Sequence, residues 1–303
     1  YQIHELLRQF ATGELANAQE ETATAYRHSA YYLSLLAAQQ RPIMHNAPRS
    51  GVETIQRDMD NIRQAWRWGA AHLPAALVEQ SALALREFYW LTGLTAEAIE
   101  MFSLAAQTRR NRLHDPSADP VAEVRLYSIL LALSATFHIS VGHHEEALKR
   151  AIDALQVADA EVNPIGSALG YMVQGQALRR LGQSEEAFRL LTQSVTLSQQ
   201  TRAKLGHLSL LLDRRACSWL ASIALSTDDF AAAQAYSVYQ LEICQQFELK
   251  VGEAAALTCL IEIDKAFGNY ALARQRAEHA FATSQQTDFL WGQAVCAEHL
   301  AEI

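Results

Sequence analysis

The sequence predicts an all-α protein, a right-handed α-solenoid of helical hairpins preceded by a shorter helical adaptor. Three observations carry that reading. Ala, Leu, Gln, Arg and Glu, all good helix formers, dominate, while Val, Ile and Thr are comparatively sparse. Only 6 prolines occur in 303 residues and none follows Pro164, so little interrupts a helical pattern in the second half. Finally, a glycine followed five positions later by an alanine recurs along the chain. Hydrophobic residues make up 50% against 19% charged, enough for a large core, which excludes wholesale disorder.

The elements follow in order. Tyr1 to Gln19 reads as a helix with Leu6, Leu7, Phe10 and Leu15 on one face. Tyr26 to Ala38 carries Tyr31, Tyr32, Leu35 and Leu36 at helical spacing. Arg41 to Gly51, with two prolines, reads as a loop. From Val52 to Ala71 the positions Ile55, Met59, Ile62, Trp66 and Gly69 repeat with a helical period. These segments form the expected adaptor, residues 1–74, and residues 75–303 the expected array.

In the array the Gly-to-Ala spacing appears as Gly93–Ala98, Gly142–Ala147, Gly182–Ala187 and Gly268–Ala273, with Asp228–Ala233 as a fifth copy. The alanines lie 49, 40, 46 and 40 residues apart. The physical reason is a hairpin: the first helix stops at a left-handed residue, which glycine supplies at little steric cost. The second helix starts within a residue or two. Asp229 and Asn269 stand where an N-cap is needed, and Glu145, Glu146, Glu185 and Glu186 bring negative charge to helix N-termini. The alanine faces the first helix at close range, and Phe102, Ala105, Ala151, Ala154, Leu191, Ser194, Ala277 and Ala280 continue that inner stripe. Connectors are expected at His114 to Pro120, Asn163 to Gly166 and Gln200 to Gly206.

The Gly-to-Ala spacing resembles the back half of the tetratricopeptide signature. Its front half is degenerate: Leu178, Gly175 and Tyr171 occupy the first-helix packing positions before Gly182, but Tyr89, Arg86 and Ala82 match only in part, and Asp264 replaces an aromatic. HEAT and armadillo repeats, with periods of about 40 to 47 residues, are the structural rival, although their usual prolines are missing after residue 164. One further period beyond Gly268 puts Leu300 and Ala301 on first-helix packing positions. About five repeats plus the first helix of a truncated sixth are therefore expected, as an excised fragment.

A second resemblance covers the N-terminal third. Ile3-His4-Glu5-Leu6-Leu7-Arg8-Gln9-Phe10-Ala11 resembles the segment closing the winged-helix domain of STAND-class, NB-ARC-like signal-transduction ATPases. Arg27-His28-Ser29-Ala30-Tyr31-Tyr32-Leu33 resembles their next helix, and Asp60-Asn61-Ile62-Arg63-Gln64-Ala65-Trp66 the lead into their tetratricopeptide sensors. The likeness then runs through Phe88-Tyr89 and Gly93 into the array. In that family ATP binds in a domain upstream, and this sequence has no G-x-x-x-x-G-K-[ST] phosphate loop. The resemblance implies a sensing arm that binds an inducer (a small molecule or peptide) or a protein partner and controls the attached ATPase in a cytoplasmic transcriptional regulator. The alternative is a stand-alone protein–protein interaction scaffold.

Other chemistries find little support. The formal charge of −8 lacks the general footprint of a nucleic-acid binder. Arg109, Arg110 and Arg112 form the tightest basic run and read as a solvated helix end rather than a nucleic-acid contact. Leu126 to Ser140, the longest uncharged stretch, falls short of the roughly 20 apolar residues of a membrane span and reads as a buried helix. Cys217, Cys244, Cys259 and Cys296 show no C-x-x-C spacing and read as core residues of a reduced protein. His143-His144-Glu145-Glu146 is the most metal-like run, but adjacent side chains point apart on a helix. Trp66 with Trp68 and Phe88-Tyr89-Trp90 read as core. No catalytic triad, metal set or cofactor motif is expected in this chain.

The informative surface is the concave one, lined by first helices. Counting from the anchors places Gln80, Leu83, Glu87 and Trp90 there, then Ile129, Ala132, Thr136 and Ile139 with Arg125 one turn upstream. Leu169, Met172, Gln176, Arg179 and Arg180 follow, then Arg215, Ser218, Ser222 and Leu225, and finally Ala255, Thr258, Glu262 and Lys265. The expected ligand groove is apolar around Leu83, Trp90 and Ile129. It is cationic where Arg125, Arg179 and Arg215 should converge, with Arg180 and Lys265 nearby and Glu87 and Glu262 offsetting them. Plain solvation of these charges on helix faces is the competing explanation. The architecture has a direct test: circular dichroism should show a helical spectrum without strand signal, and limited proteolysis should leave a resistant unit close to full length.

Overall fold

The computed structural model describes residues 5–44, 48–159, 161–205, 207–287 and 289–303. Among them are seventeen helices and no strand: α1 (Glu5–Asn17), α2 (Glu21–Ala38), α3 (Gln40–Met44), α4 (Pro48–Arg57), α5 (Met59–His72), α6 (Ala75–Thr92), α7 (Thr95–Arg112), α8 (Pro120–Ser140), α9 (His144–Val157), α10 (Pro164–Arg180), α11 (Ser184–Gln200), α12 (Arg202–Leu205), α13 (His207–Ser226), α14 (Phe230–Gln246), α15 (Lys250–Ala266), α16 (Tyr270–Gln286) and α17 (Leu290–Glu302). Consecutive long helices pack as antiparallel pairs, α8 on α9, α10 on α11, α13 on α14 and α15 on α16, and each pair stacks on the next. This is an all-α helical-repeat solenoid.

All five anchors adopt the left-handed conformation. Gly93, Gly142, Gly182 and Gly268 have φ of 70°, 82°, 82° and 75°, and Asp228 has φ 57°. In four copies the amide after the anchor donates to the carbonyl five residues earlier: His143 to His138 (2.9 Å), Gln183 to Leu178 (2.9 Å), Asp229 to Ala224 (2.9 Å) and Asn269 to Asp264 (2.8 Å). That bond satisfies a carbonyl the helix end would otherwise leave open. Ala98, Ala147, Ala187, Ala233 and Ala273 are all fully buried, as are the stripe residues that follow them. Opposite Ala187, a Cβ on Gly175 would lie 3.0 Å from the Ala187 carbonyl oxygen, so the first helix needs its glycine there. Asp229 caps α14, accepting from the Ala232 amide at 3.0 Å, whereas Asn269 holds the N-cap position of α16 without a side-chain bond.

Several elements differ from the sequence reading. The expected loop over residues 41–51 contains α3 and the start of α4, because Pro42 and Pro48 fall in first turns, where a missing N–H costs nothing. The single helix expected from Val52 to Ala71 breaks at Asp58, which leaves helical geometry with φ −113° and ψ 17°. Pro164 and Gly166 open α10 rather than link helices; Asn163 caps it, accepting from the Gly166 amide at 3.0 Å. Gln19 and Glu248 are left-handed too, with φ 56° and 55°, and make the same five-residue bond without a glycine to announce it. The apolar face of α1 does not pack inward: Leu6, Leu7 and Phe10 are exposed and only Leu15 is half-buried. Ile3 and His4 of the first resembling segment lie outside the described residues. At the other end Leu300 is half-buried against Ile261, Ala273 and Ala277, while Ala301 is exposed.

The basic run is the largest correction. Arg109 is fully buried, its Nη1 donating to both carboxylate oxygens of Glu123 at 2.7 and 3.0 Å and its Nη2 to the Leu73 carbonyl at 2.6 Å. Arg112 donates to the Ala71 carbonyl at 2.7 Å, and only Arg110 is exposed. These guanidiniums, from the last turn of α7, satisfy the open carbonyls at the C-terminus of α5. The same two helices meet again where Arg63 pairs with Glu97 (2.5 and 2.9 Å), which also accepts from the Tyr89 hydroxyl at 3.0 Å. The buried Trp66 donates its indole N–H to the Met101 carbonyl at 2.9 Å and meets Phe102 edge-on, with Phe102 stacked on Phe137. One hydrophobic core therefore runs from Leu33 to Ile223, across residue 74 without interruption. A helix as long and apolar as α8 meets the length and composition of a membrane span, but 67% of its most apolar window is buried inside the protein.

Removing one partner of a buried ion pair leaves the other charge stranded. Arg109→Leu should therefore cost about 3–5 kcal/mol in urea denaturation, while the double substitution Arg109→Leu, Glu123→Leu should recover more than half of that loss.

Candidate functional site

The concave face is built by α6, α8, α10, α13, α15 and α17, the first helices of successive pairs. It is tightly wound. Trp90, near the end of α6, lies 5.6 Å (ring centroids) from Phe289, which immediately precedes α17, so the two ends of the array meet. From the N-terminal side α3 enters the same space, where Met44 packs against the cluster formed by Leu210, Leu211, Ile243, Cys244 and Leu249. At the centre is a cavity of about 40 Å³, room for roughly three waters. Its wall comes from α3 (Met44), α6 (Leu83, Arg86, Glu87), α8 (Leu133), α10 (Ile165, Leu169) and α13 (Leu211, Leu212, Arg214, Arg215).

Of the expected groove residues, the structure brings Leu83, Glu87, Leu169 and Arg215 together in this cavity. The second copy is different. Ile129 and Ala132 are fully buried and Thr136 and Ile139 nearly so, because α6 and α10 close over α8 and turn its inner face into core. Met172 and Gln176 are buried as well. Trp90 stays 41% exposed, with the Arg86 guanidinium 5.6 Å from its ring centre, so it is not core as its neighbours Phe88 and Tyr89 are.

The other cations each have a partner of their own. Arg125 pairs with Glu79 of α6, its Nε donating at 3.2 Å. Arg179 donates to the Ser222 hydroxyl at 2.7 Å, and both Arg179 and Arg180 stack on Trp219, at 5.3 and 5.4 Å from the ring centre. Burial, reinforced by the charge of Arg180, holds the Arg179 guanidinium below its usual pKa. Lys265 pairs with Glu262 at 3.3 Å and with Glu302.

Two groupings were not visible in the sequence. Glu262, His299 and Glu302 bring their ligand atoms within 4.8 Å of one another, the one such set among the described residues. Lys265 already occupies its mouth, which makes it an ion-pair network joining α15 to α17. His299 Nδ1 is 3.1 Å from Glu262 Oε1 without hydrogen-bond alignment. The other grouping is Arg86 and Arg214, which flank the cavity. Arg86 stands at a packing position where a small residue is usual, and the Arg214–Arg215 doublet was the available signal. Burial pushes the Cys217 thiol up to about 12 and the Cys244 thiol up to about 11, and raises those of Cys259 and Cys296 as well. The departure at Asp264 is also structural, since this buried carboxylate accepts from Arg276 at 2.5 Å.

Neither a protein-family model nor a curated protein sequence matches the chain. Solved structures do. A signal-transduction ATPase with numerous domains (STAND) protein with a tetratricopeptide repeat sensor, from Pyrococcus horikoshii, matches with TM-score 0.55 at 14% identity, over 93% of this chain and 43% of that one. BtubC (BKLC) from P. vanneervenii matches with TM-score 0.51 at 16% identity, over 84% of this chain and 91% of that one. At such identities the likeness is one of fold alone, that of an all-α helical-repeat solenoid.

The partners of Arg179 carry a prediction. Arg179→Ala removes a charged hydrogen bond and a cation–π contact and should cost about 1–2 kcal/mol in thermal or urea unfolding. Arg180→Ala, exposed and sharing only the ring, should stay within about 0.5 kcal/mol.

Proposed function

We propose that this chain is the sensing region of a STAND-type regulatory ATPase, taking an inducer or a protein partner on its concave face. The observation that carries the proposal is the cavity wall shared between Met44 of α3, on the N-terminal side, and the first helices of the array. A ligand seated there touches both, so its binding energy biases how the N-terminal helices sit on the repeats. The likeness to the STAND protein supports this reading because it runs through those N-terminal helices as well as the array, over 93% of this chain. The Arg63–Glu97, Trp66–Met101 and Arg109–Leu73 bonds supply the rigid connection that such transmission needs.

In this proposal the chain itself performs no chemistry and holds no cofactor; ATP is handled by a separate NB-ARC-like domain in a cytoplasmic regulator of transcription. No membrane and no direct nucleic-acid contact enter through residues 1–303. The exposed apolar face of α1 suits packing against such a neighbouring domain. A scaffold without a switch role is the second reading, favoured by BtubC, where the matched repeat architecture makes up 91% of the chain.

The two separate by experiment. The coding sequence preceding Tyr1 should encode G-x-x-x-x-G-K-[ST], and Met44→Lys in the longer protein should change ATP turnover several-fold. The 303-residue chain alone should show none. Turnover insensitive to Met44→Lys, or no phosphate loop upstream, would favour the scaffold.

A further inference from the structure

The central cavity holds more positive charge than its own residues offset. Arg86, Arg214 and Arg215 line it, and Glu87 is the one carboxylate among its lining residues. Arg86 is 3% exposed and pairs with Glu87, yet its Nε is buried without a hydrogen-bond partner. The Nε of Arg214 is buried and unpartnered in the same way. Among the described residues neither Arg214 nor Arg215 makes an ion pair. The guanidiniums are close enough that the charge of Arg214 adds to burial in lowering the pKa of Arg86, against the pull of Glu87.

Such an arrangement concentrates positive charge at a cost. Guanidinium cannot shed its charge by deprotonation, so the repulsion between Arg86 and Arg214 is not relieved as it would be for lysine or histidine. Buried donors without acceptors are rare in folded proteins, and the apolar remainder of the wall supplies none. What the site lacks is an acceptor-only group carrying negative charge. Arg forks match the oxygens of phosphate and carboxylate, and a cavity of about 40 Å³ has room for a group of that size.

We propose that this cavity is a binding site for a compact phosphate-type oxyanion, held by Arg86, Arg214 and Arg215. The anion arrives either as free inorganic phosphate or as the phosphate end of a small inducer. This deepens the sensor proposal and rests on its reading of the concave face as the binding surface. Binding is measured on the 303-residue chain with no ATPase present, so failure here leaves the switch role to be judged by turnover alone.

The test is isothermal titration calorimetry in chloride buffer at constant ionic strength, with inorganic phosphate and, separately, glycerol 3-phosphate. Wild type should show saturable binding near one site per chain. Arg214→Gln and Arg215→Gln should each weaken it at least tenfold, while Arg189→Gln, on the outer helix α11, should leave it unchanged. Arg214→Lys keeps the charge but loses the fork, and should bind more weakly than wild type with an unaltered circular dichroism spectrum. Binding of phosphate but not of the ester identifies the free anion as the ligand; binding of both points to a phosphorylated inducer. No saturable binding to wild type, which would mean a cavity holding water only, overturns the proposal. So does undiminished affinity in both Gln variants.

Discussion

The whole array depends on one local constraint: a residue in left-handed conformation followed, five positions later, by an alanine pressed against the preceding helix. The left-handed residue ends one helix and turns the chain back, and the amide after it closes a carbonyl the turn would leave open. The alanine then sets how near the two axes come. Because that geometry recurs five times, the hairpins are similar enough to stack, and the stacking buries the stripes that neither helix could bury alone. Asp228 shows that the constraint is conformational rather than a requirement for glycine: an Asp tolerates the left-handed region at modest cost and keeps the same hydrogen bond.

The N-terminal helices are tied to this array by polar bonds embedded in a continuous core. Arg109 and Arg112 of α7 reach the carbonyls that end α5, Arg63 of α5 reaches Glu97 of α7, and Trp66 reaches the Met101 carbonyl. Each joins an element before residue 74 to one after it. A solenoid is ordinarily a chain of nearest-neighbour interfaces. Here the meeting of Trp90 with Phe289, and of Met44 with the apolar cluster that α13 and α14 share, adds contacts between parts far apart in the sequence.

Charge is distributed in the opposite sense to the net balance. The chain carries −8 overall, yet its central cavity gathers three guanidiniums around one carboxylate. Elsewhere most buried or half-buried cations meet a carboxylate: Arg109 and Arg112 share Glu123, Arg276 meets Asp264, Arg125 meets Glu79, and Lys265 meets Glu262 and Glu302, while Arg179 is met by the Ser222 hydroxyl and the Trp219 ring.

The repeat, the turns and the inner stripe were legible in the sequence because they are local: a turn and the residue one turn into the next helix are set by spacing and by which side chains the backbone geometry admits. Thus Gly93 to Ala98 and Asp228 to Ala233 could be read directly, whereas the left-handed turns at Gln19 and Glu248 could not, since neither residue type signals one. The groove was legible only in part. Helical period put Leu83, Glu87, Leu169 and Arg215 on one face, and all four line the cavity. The period alone does not say how tightly the solenoid winds, and winding decided that Ile129 became core, that Arg125 and Arg179 found partners on neighbouring helices, and that Arg86 and Arg214 met across a cavity. Local sequence determines where a side chain points along its own helix; only the stacking of one helix on the next decides what it meets there.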